Sequence, residues 1–353
     1  MRTNRLTLTL CVMAVVGALL CQSSQTQAEK KAKKKGGVKA KVLARGLDNP
    51  TGVAVHPKSG DVYIATHSGV MKYTAGAKKK KGSATLAIGG YPDPTDIYGK
   101  GPKYPIGPLG VTFTSDGLLV VGDGSRKDGA ELVRIYKVDG EKAIKESDAV
   151  HTLGPIKPSD QSAKGEGNFY GVAIGAGAIY ITCNGDDTKG WVAKATLSGG
   201  KPGELELAIA TKVATGTDAP GPITFSPGDK DVVVGQKGEM NVPGDSLLTF
   251  YDPKTGKLKK SLKTGLSDLT GLAYSPKTGK LYATDFSWSA PDKGGLFRLD
   301  VNGDQVKAEK VLSLDKPTGI AFGKDGALYI ATFGTAKEGK GAPGSLLRVK
   351  AGL

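Results

Sequence analysis

The chain has 353 residues, with 52 glycines, 19 prolines and 24% charged residues. One large all-β domain accommodates this length, and the composition favours many short strands joined by turns over long helices. The formal net charge of +15 is concentrated at the N-terminus, because ten Lys or Arg residues and a single Glu lie within residues 1–46.

The first segment has the pattern of an export signal. A basic start precedes an apolar run, Leu6–Leu20, that is too short and wrongly flanked for a stable membrane span. Small residues stand where signal peptidase would recognise a cut after Ala28, so we predict that residues 1–28 are removed. A lipid anchor on Cys21 is the alternative, and the bulky residue before that cysteine disfavours it. We therefore expect an exported protein, periplasmic or extracellular.

Residues 29–37 form a basic tail that includes the run Lys30–Lys35. Like charges repel one another, so we predict that the tail is disordered. It is either a solvated linker or a contact for an anionic surface polymer. We expect no nucleic-acid binding from an exported chain without a recognised binding motif. Cleavage leaves Cys183 as the only cysteine, and we expect a monomer held by its own core.

A repeated pattern organises residues 38–353. A turn, a glycine or proline and an alternating apolar strand recur six times, at intervals of about 50 to 60 residues, the size of one propeller blade. The central positions of the repeats are Gly52, Gly110, Gly171, Pro222, Gly271 and Gly319. A second and a third apolar strand follow each position, and a fainter outer strand follows in five repeats. The sequence therefore predicts an all-β, six-bladed β-propeller with four-stranded antiparallel blades.

The sixth repeat lacks an outer strand of its own. Val38–Ala44 resembles the outer strand Lys307–Ser313 of the fifth repeat, and a Pro-Thr-Gly sequence follows both segments. We predict that this N-terminal strand, residues 38–45, is the outer strand of the last blade. Such a closure joins the ends of the ring and leaves no open sheet edge.

Two sequence signatures carry a family resemblance. Starts of the form Pro-x-Gly-aliphatic-Ala, as at Pro317–Ala321, and strands of the form Leu-Tyr-aliphatic-Ala, as at Leu328–Ala331, resemble those of NHL-repeat and gluconolactonase-like (senescence marker protein) propellers. The resemblance covers about residues 38–350 and implies the architecture. Such propellers include lactonases, sugar dehydrogenases, lyases and pure binding scaffolds, so the fold leaves the function open.

In the lactonase branch of that family, a divalent metal lies over the central channel. Its ligands are a Glu at the first inner strand, Asn residues at later blade starts and an Asp that ends a second strand. Asp285 is similar to that Asp, whereas Thr51 and Thr270 stand where the family has Glu and Asn. A hard cation prefers several converging oxygen ligands. A calcium or zinc site is therefore an alternative prediction, with the candidate ligands Asp285, Asp123, Asn184 and His67.

In a propeller, the loops that lead into the first strand and out of the second strand of each blade open on one face. We expect a pocket there, lined by residues next to these strand ends. His67 ends a second strand, and we expect the long connection over residues 89–108 to offer tyrosines as a stacking platform. The candidate ligand-binding residues are His67, Tyr98, Tyr104, Asp123, Arg126, Tyr170, Asn184, Gln236 and Trp288.

The sequence contains no phosphate-binding loop, nucleophile elbow, zinc-binding Cys or His set or haem-attachment motif. We therefore expect a binding scaffold with no certain cofactor, which presents its loops to a protein, a peptide or a glycan. The alternative is a metal-dependent hydrolase of the gluconolactonase type, with its site at the channel mouth. Enzymatic activity thus stays open.

Overall fold

The computed structural model describes residues 37–76, 81–92, 105–186, 189–337 and 342–353. The predicted signal peptide, Cys21 and the run Lys30–Lys35 lie outside these residues. Lys39–Leu353 form one structural unit. Within the described segments, no helix is long and apolar enough to cross a membrane.

Six antiparallel sheets form the blades, and we label the strands of each blade a to d from the centre outward. The first strand of the chain is β1 (Ala40–Leu47). Blade 1 contains β2 (Val53–Val55), β3 (Val62–Thr66), β4 (Gly69–Thr74) and β5 (Ser83–Gly89). Blade 2 contains β6 (Val111–Phe113), β7 (Leu118–Gly122), β8 (Val133–Lys137) and β10 (His151–Leu153), whereas the intervening two-residue strand β9 (Ile144–Lys145) pairs parallel with β5 of blade 1. Blade 3 contains β11 (Val172–Gly175), β12 (Ala178–Cys183), β13 (Trp191–Ser198), the short β14 (Lys201–Pro202) and β15 (Glu206–Ala210).

The other three blades have the same strand order. Blade 4 contains β16 (Pro220–Phe225), β17 (Val232–Gln236), β18 (Leu247–Tyr251) and β19 (Leu258–Lys263). Blade 5 contains β20 (Leu269–Tyr274), β21 (Leu281–Asp285), β22 (Gly295–Asn302) and β23 (Gln305–Ser313). Blade 6 contains β24 (Pro317–Phe322), β25 (Leu328–Thr332), β26 (Gly344–Val349) and β1. In the described residues, the helical elements are α1 (Thr211–Thr215) and the single 3-10 turns Glu146–Asp148 and Pro291–Lys293.

The core lies between blades rather than within one of them. Strand b is buried along its length, as in the Val-Val-Val-Gly-Gln sequence of β17, because neighbouring blades cover both of its faces. The buried apolar side chains form six clusters in the described residues, and each cluster joins two neighbouring blades. Every blade is therefore stabilised by both of its neighbours.

The predicted closure of the ring is confirmed. Strand β1 pairs antiparallel with β26, from Ala40 opposite Val349 to Leu47 opposite Gly344. Near the axis, the backbone of blade 6 approaches that of blade 1, where the Gly319 amide donates a hydrogen bond to the Thr51 carbonyl at 2.7 Å. A Cβ at Gly319 would lie 2.6 Å from that carbonyl oxygen, so only glycine fits.

Candidate functional site

A cavity of about 600 Å³ lies on the axis of the ring. Residues at the start of strand a contribute to its wall from all six blades: Thr51, Leu109, Tyr170, Pro220, Thr270 and Thr318. Because every blade supplies one of these residues, the cavity is the mouth of the central channel. Its volume is typical of sites for small ligands.

One residue just beyond strand b occupies an equivalent position in each blade: it directly follows strand b in five blades and comes one residue later in blade 2. Its backbone amide donates a hydrogen bond to a carbonyl of the loop that leads into strand a of the same blade. We call these six residues the rim positions: His67, Gly124, Asn184, Lys237, Phe286 and Phe333. Four of them, Asn184, Lys237, Phe286 and Phe333, line the cavity.

Tyr170 reaches across part of the channel. Its hydroxyl donates a hydrogen bond of 2.9 Å to the carbonyl of Thr270, so this side chain links blade 3 to blade 5. The Lys237 ammonium lies 3.6 Å from the centre of the Tyr170 ring, a favourable cation–π contact. The stem of Lys237 passes Gly221, where a Cβ would lie 2.7 Å from Lys237 Cε. The glycine of blade 4 therefore leaves the room in which this lysine lies.

Lys237 and Asp268 are two of the charged residues in the cavity wall. Burial lowers the pKa of Lys237 to about 8, and the Asp268 carboxylate opposes this shift. Burial also raises the pKa of Asp268 to about 6, against the effect of the Trp288 amide, which donates to its Oδ2 at 2.6 Å. Both groups are thus less charged at neutral pH than the same groups in water.

Aromatic side chains from blades 5 and 6 form one side of the cavity. Trp288 stacks on Phe286, with ring centres 5.4 Å apart and an interplanar angle of 22°. Phe333 meets Phe286 edge to face at 5.6 Å. The hydrogen bond from the Trp288 amide to Asp268 fixes the backbone that carries the indole. A rigid apolar surface therefore faces the polar residues on the other side.

Those polar residues come from the loops of blades 2 to 4. The amide or carboxylate side chains that line the cavity are Asp128, Asn168, Asn184, Asp218, Glu239 and Asn241, and Lys164 adds a second positive charge. Asn184 Oδ1 is buried and accepts no hydrogen bond from the described residues. A buried acceptor of this kind favours a ligand that brings a donor, because an unsatisfied polar atom costs about 1–3 kcal/mol.

Of the nine predicted ligand-binding residues, the structure brings Tyr170, Asn184 and Trp288 to the cavity. Tyr98 and Tyr104 lie outside the described residues. The other four, His67, Asp123, Arg126 and Gln236, are not part of the cavity wall.

His67 occupies a rim position but faces its neighbouring loop. Its Nδ1 lies 2.8 Å from Asp48 Oδ2, and its backbone amide donates to the Asp48 carbonyl at 3.0 Å. The carboxylate therefore holds the imidazole away from the axis.

Asp123 and Gln236 lie one residue before a rim position, and their side chains point away from the channel. Asp123 is buried and accepts hydrogen bonds from Ser125 and Arg126, and Arg126 also donates to Glu146 at 2.5 Å. Gln236 is buried as well and donates to Thr211 Oγ1 at 3.0 Å and to the Thr217 carbonyl at 2.9 Å. These two side chains therefore support loops.

The residues proposed for a divalent metal do not fit one. Asp285 is buried, and its carboxylate accepts the backbone amides of Ser267, Asp268 and Ser287 at 3.2, 2.8 and 3.0 Å. The Thr270 hydroxyl donates to the Pro317 carbonyl at 2.8 Å. Among the described residues, no three His, Cys, Asp or Glu side chains come together as a metal site. Three of the four candidate ligands, Asp285, Asp123 and His67, are thus engaged elsewhere, and the fourth, Asn184, lines the cavity.

The fold has well-defined relatives among solved structures. The soluble aldose sugar dehydrogenase of Escherichia coli is 18% identical to the chain, with a TM-score of 0.56, over 89% of this chain and 100% of that one. A gluconolactonase of Xanthomonas campestris is 14% identical, with a TM-score of 0.58, over 89% of this chain and 90% of that one. The chain is a six-bladed β-propeller. No family model and no curated protein matches its sequence, so the likeness is one of fold.

Sequence reasoning missed Lys237, Phe286 and Phe333 as site residues. The signal was present, because these residues directly follow the second strands that the apolar pattern predicts. Side chains alternate along a strand, so a shift of one residue decides whether a side chain faces the channel. The sequence repeat identifies the loops at the channel mouth. The register at the end of each second strand then determines which residue faces the cavity.

Proposed function

We propose that the propeller is an exported binding protein that holds a carbohydrate in the axial cavity. The observation that carries the proposal is the pairing of a rigid aromatic surface, Trp288 on Phe286, with amide and carboxylate side chains on the facing side. Aromatic rings pack against the apolar faces of sugars, and amides and carboxylates pair with hydroxyl groups.

The charges of the cavity favour an uncharged ligand. Acidic and basic side chains both line it, so the wall does not present charge of a single sign. A neutral polyhydroxylated molecule is recognised by many hydrogen bonds and needs no net charge on the protein. The fold neighbours named as a sugar dehydrogenase and a gluconolactonase agree with this class of ligand.

A fluorescence titration tests the proposal. The chain has two tryptophans, and Trp191 is buried in blade 3, so a Trp191→Phe background leaves Trp288 as the single reporter. We expect methyl glycosides or oligosaccharides from a panel to change the emission of Trp288. Calorimetry should then show that Trp288→Ala weakens binding about tenfold, since an aromatic contact contributes about 1.5 kcal/mol.

His67→Ala is the matched control, because His67 occupies a rim position outside the cavity wall. It should bind the same glycoside as the wild type. If no member of the panel binds, or if both variants lose affinity equally, the proposed site is wrong.

Metal-dependent hydrolysis of a lactone is the alternative function, and the fold neighbour named as a gluconolactonase is the observation in its favour. The engaged carboxylate of Asp285 argues against it. The alternative requires metal in the purified protein and a higher melting temperature with calcium or zinc. A melting temperature that neither ion changes would exclude it.

A further inference from the structure

We infer that Lys237 is a carbonyl-reactive amine, which forms an imine with the open-chain aldehyde of a reducing sugar or another small hydroxyaldehyde in the axial cavity. The inference rests on the proposed carbohydrate ligand and adds a covalent step to it. It concerns one side chain whose placement in the fold differs from that of the surface lysines.

The backbone around Lys237 is fixed at two points. Its amide donates to the Ala219 carbonyl at 2.9 Å, and its carbonyl accepts the Ser246 hydroxyl at 2.8 Å. The side chain then runs past Gly221 to the Tyr170 ring, whose hydroxyl is itself held by Thr270. The amine is therefore directed to the cavity by blade 4 and supported there by blade 3.

Burial favours the neutral form of the amine, whereas the Tyr170 ring and the Asp268 carboxylate favour the ammonium. Burial lowers the pKa of Lys237 to about 8, with Asp268 as the opposing charge. By contrast, hydrogen bonding to Asp231 raises the pKa of Lys259, which lies on the outer strand of blade 4. Only an unprotonated amine is a nucleophile, so Lys237 is the more reactive of the two at neutral pH.

The proposed step balances in atoms and electrons. The lone pair of Lys237 Nζ forms a bond to the carbonyl carbon, and the C=O π electrons move to the oxygen. The resulting carbinolamine loses its oxygen together with the two amine hydrogens as water, which leaves a C=N bond. No oxidant or reductant takes part.

Reductive trapping tests the inference on the full-length protein. We would incubate the protein with glycolaldehyde and sodium cyanoborohydride, which reduces an imine to a stable secondary amine, and map the adducts by peptide mass spectrometry. We expect Lys237 to react at least about tenfold faster than Lys194, since burial lowers the pKa of Lys237 and increases its neutral, reactive fraction at neutral pH. Adducts distributed among surface lysines, without preference for Lys237, would overturn the inference.

Lys194 is the matched control residue. Its ammonium also lies over a tyrosine ring, that of Tyr180, at 5.3 Å, but it belongs to the blade and not to the cavity wall. Lys237→Arg should abolish the dominant adduct, whereas Lys194→Arg should leave it unchanged. Mapping in the wild type decides the question even if Lys237→Arg does not fold.

A methyl glycoside separates this inference from the proposed function, because its ring cannot open to an aldehyde. Binding of the glycoside without trapping at Lys237 would refute the imine alone. Trapping at Lys237 without binding of any glycoside would refute the carbohydrate site and keep the reactive amine. Failure of both experiments would refute both proposals.

Discussion

Asp123 in blade 2 and Lys237 in blade 4 lie next to the same turn of their blades, yet they have opposite surroundings. Asp123 is buried between Arg126 and Arg134, whereas Lys237 lies over an aromatic ring in the axial cavity. They differ by one position in the repeat, because Asp123 precedes the rim position and Lys237 occupies it. In this propeller, the carboxylate of Asp123 before a rim position supports its loop, whereas Lys237 at a rim position lines the axial cavity.

Replacing Asp123 should have the largest effect on stability. Asp123→Ala would leave Arg126 and Arg134 with Glu146 as their acidic partner in the described residues, so the loss should be about 3 kcal/mol, at the lower end for a broken buried ion pair. Urea unfolding at neutral pH measures the loss. Asp139→Ala is the control in the same blade, since Asp139 pairs with Lys137 at the exposed surface and should contribute less than about 1 kcal/mol. Equal losses in the two variants would contradict the structural role of Asp123.

Lys237 should make the stability depend on pH in the alkaline range. Its pKa is about 8 in the folded chain against 10.5 for an unperturbed lysine, so the unfolded chain binds more protons between these limits. The free energy of unfolding should therefore rise from pH 8 to 10.5, by on the order of 2–3 kcal/mol relative to Lys237→Met. Denaturant titrations of both proteins at several pH values measure the difference. Parallel pH profiles would show that the amine is not buried.

Asp268 should act in the opposite direction in the acidic range. Its pKa is about 6 in the folded chain against 3.8 for an unperturbed aspartate, so the folded chain binds more protons between these limits. The Asp268 carboxyl therefore stabilises the folded chain below pH 3.8, and this contribution to the free energy of unfolding, on the order of 2 kcal/mol, is lost as the pH rises through 6. Asp268→Asn keeps an acceptor for the Trp288 amide and should remove this dependence in the same titrations. A variant that keeps the wild-type slope would contradict the assignment.

His67→Ala should have the smallest effect. The pair with Asp48 is partly exposed and should contribute less than about 1 kcal/mol to stability, with a change in glycoside affinity below about twofold. Thermal unfolding and calorimetry measure both quantities. A tenfold loss of affinity would show that the rim position of blade 1 does reach the ligand.

The sequence was sufficient for the architecture, because six similar repeats and one displaced outer strand leave a single closed arrangement. It was less informative about the site. Tyr170, Asn184 and Trp288 were within reach of the loop rule, whereas Asp123 and Gln236 lie outside the cavity wall, since strand alternation turns them toward their own loops. His67, also predicted, lies outside the wall for a different reason, because a partner from another segment, Asp48, decides where it points.

The pairing of β1 with β26 also determines when the ring can be completed. A ribosome makes β1 first and β26 last, so the first strand must wait, unpaired, for nearly the whole chain to be synthesised. The sixth blade is complete only after β26 is made, and shortened products cannot close. An unpaired strand edge is open to association with other chains during this interval. The exposed, charged residues of β1, Lys41 and Arg45, stand where they discourage such association until the last strand arrives.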